Sequence, residues 1–195
     1  MADWQTIHLC LDMQRLFAPG GIWATPWMER VLPNIVQIAE AASPRNVFTR
    51  FIPPEHASDM PGVWQAFYER WRTVTRAELP LEYLALVPEL ERFSSSGKVL
   101  DKKVYSAFAD GRLHAWLQDK KVNALVITGA ETDVCVLSTV MAAVDLGYHT
   151  TLVRDALCSS SDAGHDALMT MYHERLCLQI QLTNTSGILD RLPGT

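Results

Sequence analysis

Short apolar runs alternate with longer helical stretches along this 195-residue chain, and this alternation constrains its fold more than any other feature. Residues 124–129 (ALVITG) form the clearest apolar run, with the length of a buried strand. Residues 27–42 instead place Val31, Ile35 and Ala42 at the spacing of one helix face. Strands that alternate with helices in this way favour βαβ units and a parallel sheet.

The same pattern predicts the whole architecture. Strands are expected at residues 7–11, 46–51, 98–101, 124–129, 150–153 and 177–180, with helices at 27–42, 111–120, 132–146 and 162–173. The aromatic-rich segment 53–88 is expected to form helical pieces and loops over one edge of the sheet. We therefore predict an α/β fold in three layers, α/β/α, around a six-stranded, mostly parallel, doubly wound (Rossmann-like) sheet. Length and the lack of repeats indicate a single domain over residues 1–195.

Charge and cysteine spacing exclude several classes of function. The net charge is −5 and the basic residues are scattered, whereas nucleic-acid phosphates need a basic face. No stretch approaches the ~20 apolar residues of a membrane span, and residues 1–6 lack the pattern of a signal peptide. The four cysteines show no paired spacing, which indicates free thiols in a reducing compartment. We expect a cytoplasmic protein that binds neither nucleic acid nor membrane.

The functional site should collect at the carboxyl ends of the strands, as in other open α/β sheets. That rule selects Asp12 after the first strand, Arg50 at the end of the second, residues 101–105 after the third, and the turn 129–135 after the fourth. Arg50 could bind a substrate carboxylate through a bidentate pair, or it could belong to a structural ion pair. Phe17, Trp23, Trp64 and Tyr105 could line an apolar pocket, or serve the core or a subunit interface.

Cys135 is the candidate nucleophile of this edge. It lies where the best buried strand turns into a helix, and a helix start offers free N–H groups and the positive end of the dipole, both of which favour a thiolate. A nearby cation should lower the thiol pKa further, and Lys102 and Lys103 are candidates. Asp12 is the expected proton acceptor, because no histidine is well placed for that role. A lone cysteine in a helix is more often a small buried hydrophobe, so the case depends on these groups coming together.

Four motifs in order resemble those of the isochorismatase-like cysteine hydrolase superfamily, which includes nicotinamidases and N-carbamoylsarcosine amidases. They are residues 12–17 (DMQRLF), 102–108 (KKVYSAF), 129–136 (GAETDVCV) and 154–156 (RDA). The resemblance extends over about residues 6–180. It implies the same α/β fold and a catalytic triad, which falls on Asp12, Lys102 and Cys135; Lys102 is preferred to Lys103 by counting back from Tyr105.

The resemblance also implies an oxyanion hole formed by the backbone N–H groups of Glu131 and Cys135, beside a cis peptide between Ala130 and Glu131. Glu131 stands where many members have a small residue, so its carboxylate is expected near the substrate. Nicotinamidases bind a metal through Asp and His ligands after the second strand. Here residues 49–56 (TRFIPPEH) contain no such pair, and His56 alone is too little. We therefore expect no metal and no cofactor.

The expected function is hydrolysis of a small amide-type C–N bond through a thioester on Cys135. Phe17, Arg50, Trp64, Tyr105 and Glu131 are the candidate substrate-binding residues, the substrate is a small molecule, and the chain is expected to form a homo-oligomer, dimer or tetramer. Two alternatives stay open. One is a vinyl ether hydrolase of the isochorismatase type, which does not need the cysteine, and the other is a non-catalytic binding or regulatory member of the fold.

Overall fold

The computed structural model describes residues 5–192 and is built around one six-stranded sheet. The strands are β1 (Thr6–Leu11), β2 (Asn46–Phe51), β3 (Lys98–Lys102), β4 (Ala124–Ala130), β5 (His149–Cys158) and β6 (Ile180–Thr183). Every neighbouring pair is parallel, in the order β3-β2-β1-β4-β5-β6. The predicted fold class is therefore confirmed. Residues 1–4 and 193–195, included in the signal-peptide and single-domain predictions, lie outside the described residues.

Helices cover both faces of the sheet, as the three-layer prediction requires. They are α1 (Met28–Ala42), α2 (Val63–Arg70), α3 (Pro88–Glu91), α4 (Arg112–Asp119), α5 (Leu137–Asp145), α6 (Asp162–Glu174) and α7 (Thr185–Leu189). Two apolar cores separate these layers. Ile35 of α1 and Leu90 of α3 belong to the core on one face, whereas Leu113 of α4, Val140 of α5 and Tyr172 of α6 belong to the core on the other.

The segment between β2 and β3 follows its prediction of helical pieces and loops. Besides α2 and α3 it contains three short 3-10 helices, Ala57–Asp59, Arg72–Val74 and Leu81–Leu84. An isolated antiparallel bridge from Gln14 to Leu86 attaches this segment to the loop after β1. Among the described residues, no helix has both the length and the apolar character needed to cross a bilayer.

Two strand predictions were wrong in position. The sixth strand is Ile180–Thr183 rather than 177–180, because the N–H groups of Gln179 and Ile180 fold back onto the carbonyl of Leu176 in a turn. Leu178, predicted as a strand residue, is 99% exposed. The fifth strand continues to Cys158, so residues 154–156 lie inside it and not after it. Apolar side chains alone do not distinguish these turn residues from strand residues.

A buried polar network ties the central strands together beneath the carboxyl edge. The His8 ring donates from Nδ1 to Asn46 Oδ1 (2.7 Å) and accepts at Nε2 from the Thr128 hydroxyl (2.8 Å). The amide of Asn46 donates in turn to the carbonyl of Ala39 (2.8 Å). The network joins β1, β2, β4 and α1. Burial favours the neutral imidazole, in which Nδ1 donates and Nε2 accepts.

His8 is expected to make the protein less stable as pH falls. Burial lowers its pKa from 6.5 to about 4, although the Asn46 hydrogen bond opposes that shift. Between these pH values the unfolded chain binds a proton that the folded chain does not, so stability present above pH 6.5 falls by about 3 kcal/mol as pH approaches 4. Urea unfolding of the native chain and of His8→Gln across this range measures the effect. Parallel pH profiles for the two proteins would contradict it.

Candidate active site

Asp12 begins the loop after β1 and is completely buried. Its backbone lies in the left-handed region (φ 51°), which aspartate tolerates better than most residues. The N–H of Asp12 donates to Thr49 Oγ1 (3.1 Å), and the Thr49 hydroxyl donates to Asp12 Oδ1 (2.6 Å). Thr49 on β2 thereby fixes one carboxylate oxygen and leaves Oδ2 for other groups.

Gly129 allows the two central strands to approach closely at their carboxyl ends. It pairs with Leu11, the residue before Asp12, and has a φ of 109°. A Cβ atom at this position would clash with the carbonyl oxygen of Leu11. Glycine is therefore required where the turn after β4 meets the loop after β1.

Lys102, the last residue of β3, contacts both other members of the predicted triad. Its Nζ lies 2.6 Å from Asp12 Oδ2 and donates to Cys135 Sγ at 3.4 Å. Nζ also donates to the carbonyl of Val104 (3.2 Å). Lys102 is 4% exposed, whereas Lys103 is exposed to solvent, as expected when successive side chains leave a strand on opposite sides. Of the two candidate lysines, Lys102 is the one beside Asp12 and Cys135.

Cys135 lies in a π-helical turn, Thr132–Val136, that precedes α5. The sequence indicated an ordinary helix from 132, so this wider turn is a difference from the prediction. The N–H groups of Val134 and Val136 both donate to the carbonyl of Glu131 (3.1 and 3.0 Å), whereas that of Cys135 makes no bond to this oxygen. The Ala130–Glu131 peptide is cis.

The electrostatics of Cys135 differ from the expectation of a stabilised thiolate. Burial raises the pKa of the Cys135 thiol well above its ordinary value, and the Asp12 carboxylate raises it further by its charge and by a hydrogen bond. Lys102 opposes both effects but does not outweigh them. Burial lowers the pKa of Lys102, yet the charges of Asp12 and Cys135 produce a net rise. These directions favour a neutral thiol beside the Lys102–Asp12 ion pair, which is opposite to the low thiol pKa expected from the sequence.

A cavity of about 410 Å³ opens onto Cys135. The predicted residues Phe17, Tyr105 and Glu131 line it together with Cys135, and Trp23 lines it as well. Asp12 and Lys102 lie behind the thiol rather than in the wall. The wall also contains residues that were not predicted to line a pocket, namely Ile22, Ala24, Phe51, Phe67, Trp71, Val134 and Ser160. Phe67 and Trp71 are four residues apart in the segment expected to be helical, and that spacing could have identified them as one face.

Two predicted substrate-binding residues lie elsewhere. Arg50 forms the structural ion pair that was its alternative: its Nε and an Nη donate to the two carboxylate oxygens of Asp101 on β3 (2.7 and 2.9 Å). It is not part of the cavity wall. Trp64 lies behind that wall, with its ring centroid 4.8 Å from that of Tyr105 and 5.5 Å from that of Phe67. It therefore supports two lining rings without lining the cavity itself.

The residues after β2 do not fit the metal site that nicotinamidases would imply. His56 is exposed, and its backbone N–H donates to Asp59 Oδ2 (2.8 Å). Glu55 pairs with Arg76 at 3.5 Å. Within residues 5–192, no three His, Cys, Asp or Glu side chains come together in a group that could hold a metal ion.

The fold and this site define an α/β protein with a thiol-centred site at the carboxyl edge of a parallel sheet. The Isochorismatase domain model matches residues 6–183, which is most of the chain, so the protein belongs to the isochorismatase family. That family of hydrolases includes nicotinamidase and amidase relatives of this chain.

Two relatives and one solved structure illustrate the similarity. A protein of Arabidopsis thaliana named "probable inactive nicotinamidase" is 28% identical over 168 residues, 83% of this chain and 85% of its own. An N-carbamoylsarcosine amidase of an Arthrobacter species is 28% identical over 148 residues, 71% of this chain and 53% of its own. A cysteine hydrolase from Pseudomonas syringae pv. phaseolicola 1448A superposes with a TM-score of 0.81 at 20% identity, covering 96% of this chain and 92% of that one. The last match concerns the fold alone.

Proposed function

We propose that the protein hydrolyses a small amide through a thioester on Cys135. The observation that carries this proposal is the position of Lys102 Nζ, which contacts Asp12 Oδ2 at 2.6 Å and Cys135 Sγ at 3.4 Å inside a buried cluster. A thiol, a carboxylate and an ammonium group in contact are the groups that covalent acyl transfer requires. The cavity beside the thiol supplies room for a small substrate.

Acylation begins with a proton transfer, because the resting thiol is neutral. Asp12 accepts the proton of Cys135 as the sulfur attacks the carbonyl carbon, and Lys102 stabilises the negative charge that forms. The oxyanion of the tetrahedral intermediate accepts hydrogen bonds from the N–H groups of Glu131 and Cys135. Asp12 then passes its proton to the leaving nitrogen, the C–N bond breaks, and ammonia or an amine departs from the thioester.

Deacylation repeats these roles with water as the nucleophile. Asp12 takes a proton from water while the resulting hydroxide attacks the thioester carbonyl. The C–S bond breaks, the sulfur recovers the proton from Asp12, and the product leaves as a carboxylic acid. The same buried Asp12 therefore acts as acid and base, with Lys102 beside it throughout.

The two alternatives make different demands on this site. A vinyl ether hydrolase acting on a chorismate-like acid would have to bind an anion. Within the part of the chain that the structure describes, however, the residues that line the cavity include Glu131 and no basic side chain. A non-catalytic member is suggested by the name of the Arabidopsis relative. Against it, this chain keeps a close contact between the three groups that turnover needs.

The test is a panel of primary amides followed in two ways. Ammonia release measures turnover, and intact-protein mass spectrometry after acid quenching detects an acyl adduct on Cys135. We expect ammonia release with at least one amide and an adduct equal to the acyl mass, removed by hydroxylamine. Loss of an enol ether without ammonia release would support the vinyl ether alternative. Neither turnover nor an adduct with any amide would contradict the proposal.

A further inference from the structure

The cavity beside Cys135 is walled by aromatic rings. Trp23 lies at the centre, and its ring centroid is 6.0 Å from those of Phe17 and Phe51 and 5.9 Å from those of Phe67 and Trp71. Tyr105 adds a further ring to the wall. The face of each ring carries partial negative charge, so several rings around one space attract a cation more than a neutral group.

Glu131 adds a full negative charge to this wall. Its side chain lines the cavity. Among the described residues of the wall, Glu131 alone has a carboxylate, and none has an ammonium, guanidinium or imidazole group. The backbone N–H of Ser160 donates to Oε1 (3.1 Å), and no other hydrogen bond within residues 5–192 is recorded for this carboxylate. The remaining oxygen, Oε2, is therefore available to a ligand.

Lys102 places a positive charge close to the cavity, with its Nζ 4.9 Å from the centre of the Phe51 ring of the wall, but this charge is already balanced. Lys102 is 4% exposed, lies behind the thiol, and pairs with Asp12 at 2.6 Å. Burial raises the pKa of Tyr105, and the charge of Glu131 raises it further, whereas the charge of Lys102 lowers it less strongly.

We propose that the substrate carries a cationic group of the alkylammonium class, held by the aromatic rings around Trp23 and by the Glu131 carboxylate while its amide lies against Cys135. The position of the amide in this inference rests on the proposed amide hydrolysis. The positive charge of the substrate is inferred from the cavity alone. A quaternary ammonium group suits this wall, because its methyl groups can contact the rings. It is also weakly hydrated, so its desolvation costs little free energy. An anionic group would face Glu131 without a partner.

The test uses three amides of one chain length that differ in the charge of the distal group. They are 4-(trimethylammonio)butanamide, its neutral isostere 5,5-dimethylhexanamide, and the anion of glutaric acid monoamide. Calorimetry with Cys135→Ala, which cannot form a thioester, measures binding without turnover. We expect the cation to bind at least about tenfold more tightly than the isostere, and the anion to bind most weakly.

Glu131→Gln in the Cys135→Ala background tests the role of the carboxylate. We expect the dissociation constant of the isostere divided by that of the cation to fall several-fold. The preference for the cation should weaken because the carboxylate charge is removed, and it should not vanish because the rings remain. Glu174→Gln, at an exposed carboxylate on α6, is the matched control for the loss of one negative charge and is expected to keep the ratio. In proteins with Cys135 intact, the ratio of kcat/KM for the cation and the isostere cancels any general effect of a substitution. Comparing this ratio between the native chain and Glu131→Gln also cancels the difference in intrinsic reactivity of the two amides.

The outcomes separate this inference from the proposed function. Equal affinity for the cation and the isostere, or tighter binding of the anion, would overturn the cationic substrate even if amides are hydrolysed. An unchanged ratio in Glu131→Gln would overturn the role assigned to that carboxylate. Preferential binding of the cation without ammonia release or an acyl adduct would support the cation site and count against amide hydrolysis.

Discussion

Replacement of Cys135 by alanine is expected to lower amide turnover by roughly 10⁴-fold or more, because the covalent route is lost with the sulfur. Asp12 and Lys102 stay paired in this variant, so the fold and the substrate cavity should persist. Ammonia release under saturating amide measures the loss, and the acyl adduct seen by mass spectrometry should disappear completely. The free energy of unfolding should change little by comparison, since the substitution removes one buried heavy atom, the sulfur.

Cys177 supplies the matched control for this substitution. It is a free and exposed cysteine, away from the carboxyl edge of the sheet. Cys177→Ala is expected to keep full turnover and to form the same adduct on Cys135. If Cys135→Ala and Cys177→Ala hydrolyse the amide at similar rates, the reaction does not pass through a thioester on Cys135, and the covalent mechanism is wrong.

Lys102→Met is expected to damage both stability and turnover, whereas Lys103→Met should affect neither. Removal of the ammonium group leaves the Asp12 carboxylate buried without its counter-ion, which costs about 3–5 kcal/mol. Lys103 is exposed, and surface substitutions usually change stability by less than about 0.5 kcal/mol. Because the lysine stabilises charge in the reaction, we also expect kcat/KM to fall by about 100-fold or more. Urea unfolding and ammonia release measure the two effects.

A second variant keeps this prediction testable if Lys102→Met folds poorly. Asp12→Asn combined with Lys102→Met removes both buried charges and leaves the side-chain carbonyl of residue 12 to accept from Thr49. Stability should recover toward that of the native chain, because no unpaired charge remains. Turnover should not recover, since the general base is absent. Recovery of turnover together with stability would show that the ion pair serves the fold and not the reaction.

The strand ends of the site could be predicted from sequence because each follows a short, strongly apolar run. Asp12, Lys102 and the turn to Cys135 lie at the predicted edge for this reason, and of the two candidate lysines Lys102 is the one in contact with Asp12 and Cys135. The thiol pKa could not be predicted, because it depends on how completely Cys135 is buried and on how close the Asp12 carboxylate comes. The expected homo-oligomer and cytoplasmic location stay predictions.

Residues away from the strand ends were harder to place. From the sequence, Arg50 could bind a substrate or form a structural ion pair. The register of β2 against β3 places it opposite Asp101, with which it forms the ion pair. Phe67 and Trp71 reach the cavity through tertiary packing on Trp23, which connects segments about 45 residues apart in the chain. The shift of β6 has the same origin, since pairing with β5 and not local apolarity determines where that strand begins.

Asp12 and Lys102 lie at strand ends and Cys135 lies in the turn after β4. Trp23 instead lies in the loop between β1 and α1, Phe67 on α2, and Trp71 directly after α2. The reactive centre is thus anchored in the part of the protein that tolerates least change, and the groups that recognise the substrate lie in the part that tolerates most. Over evolutionary time, or in directed evolution, such a chain can acquire new ligands through substitutions and insertions in these connections while its chemistry stays the same.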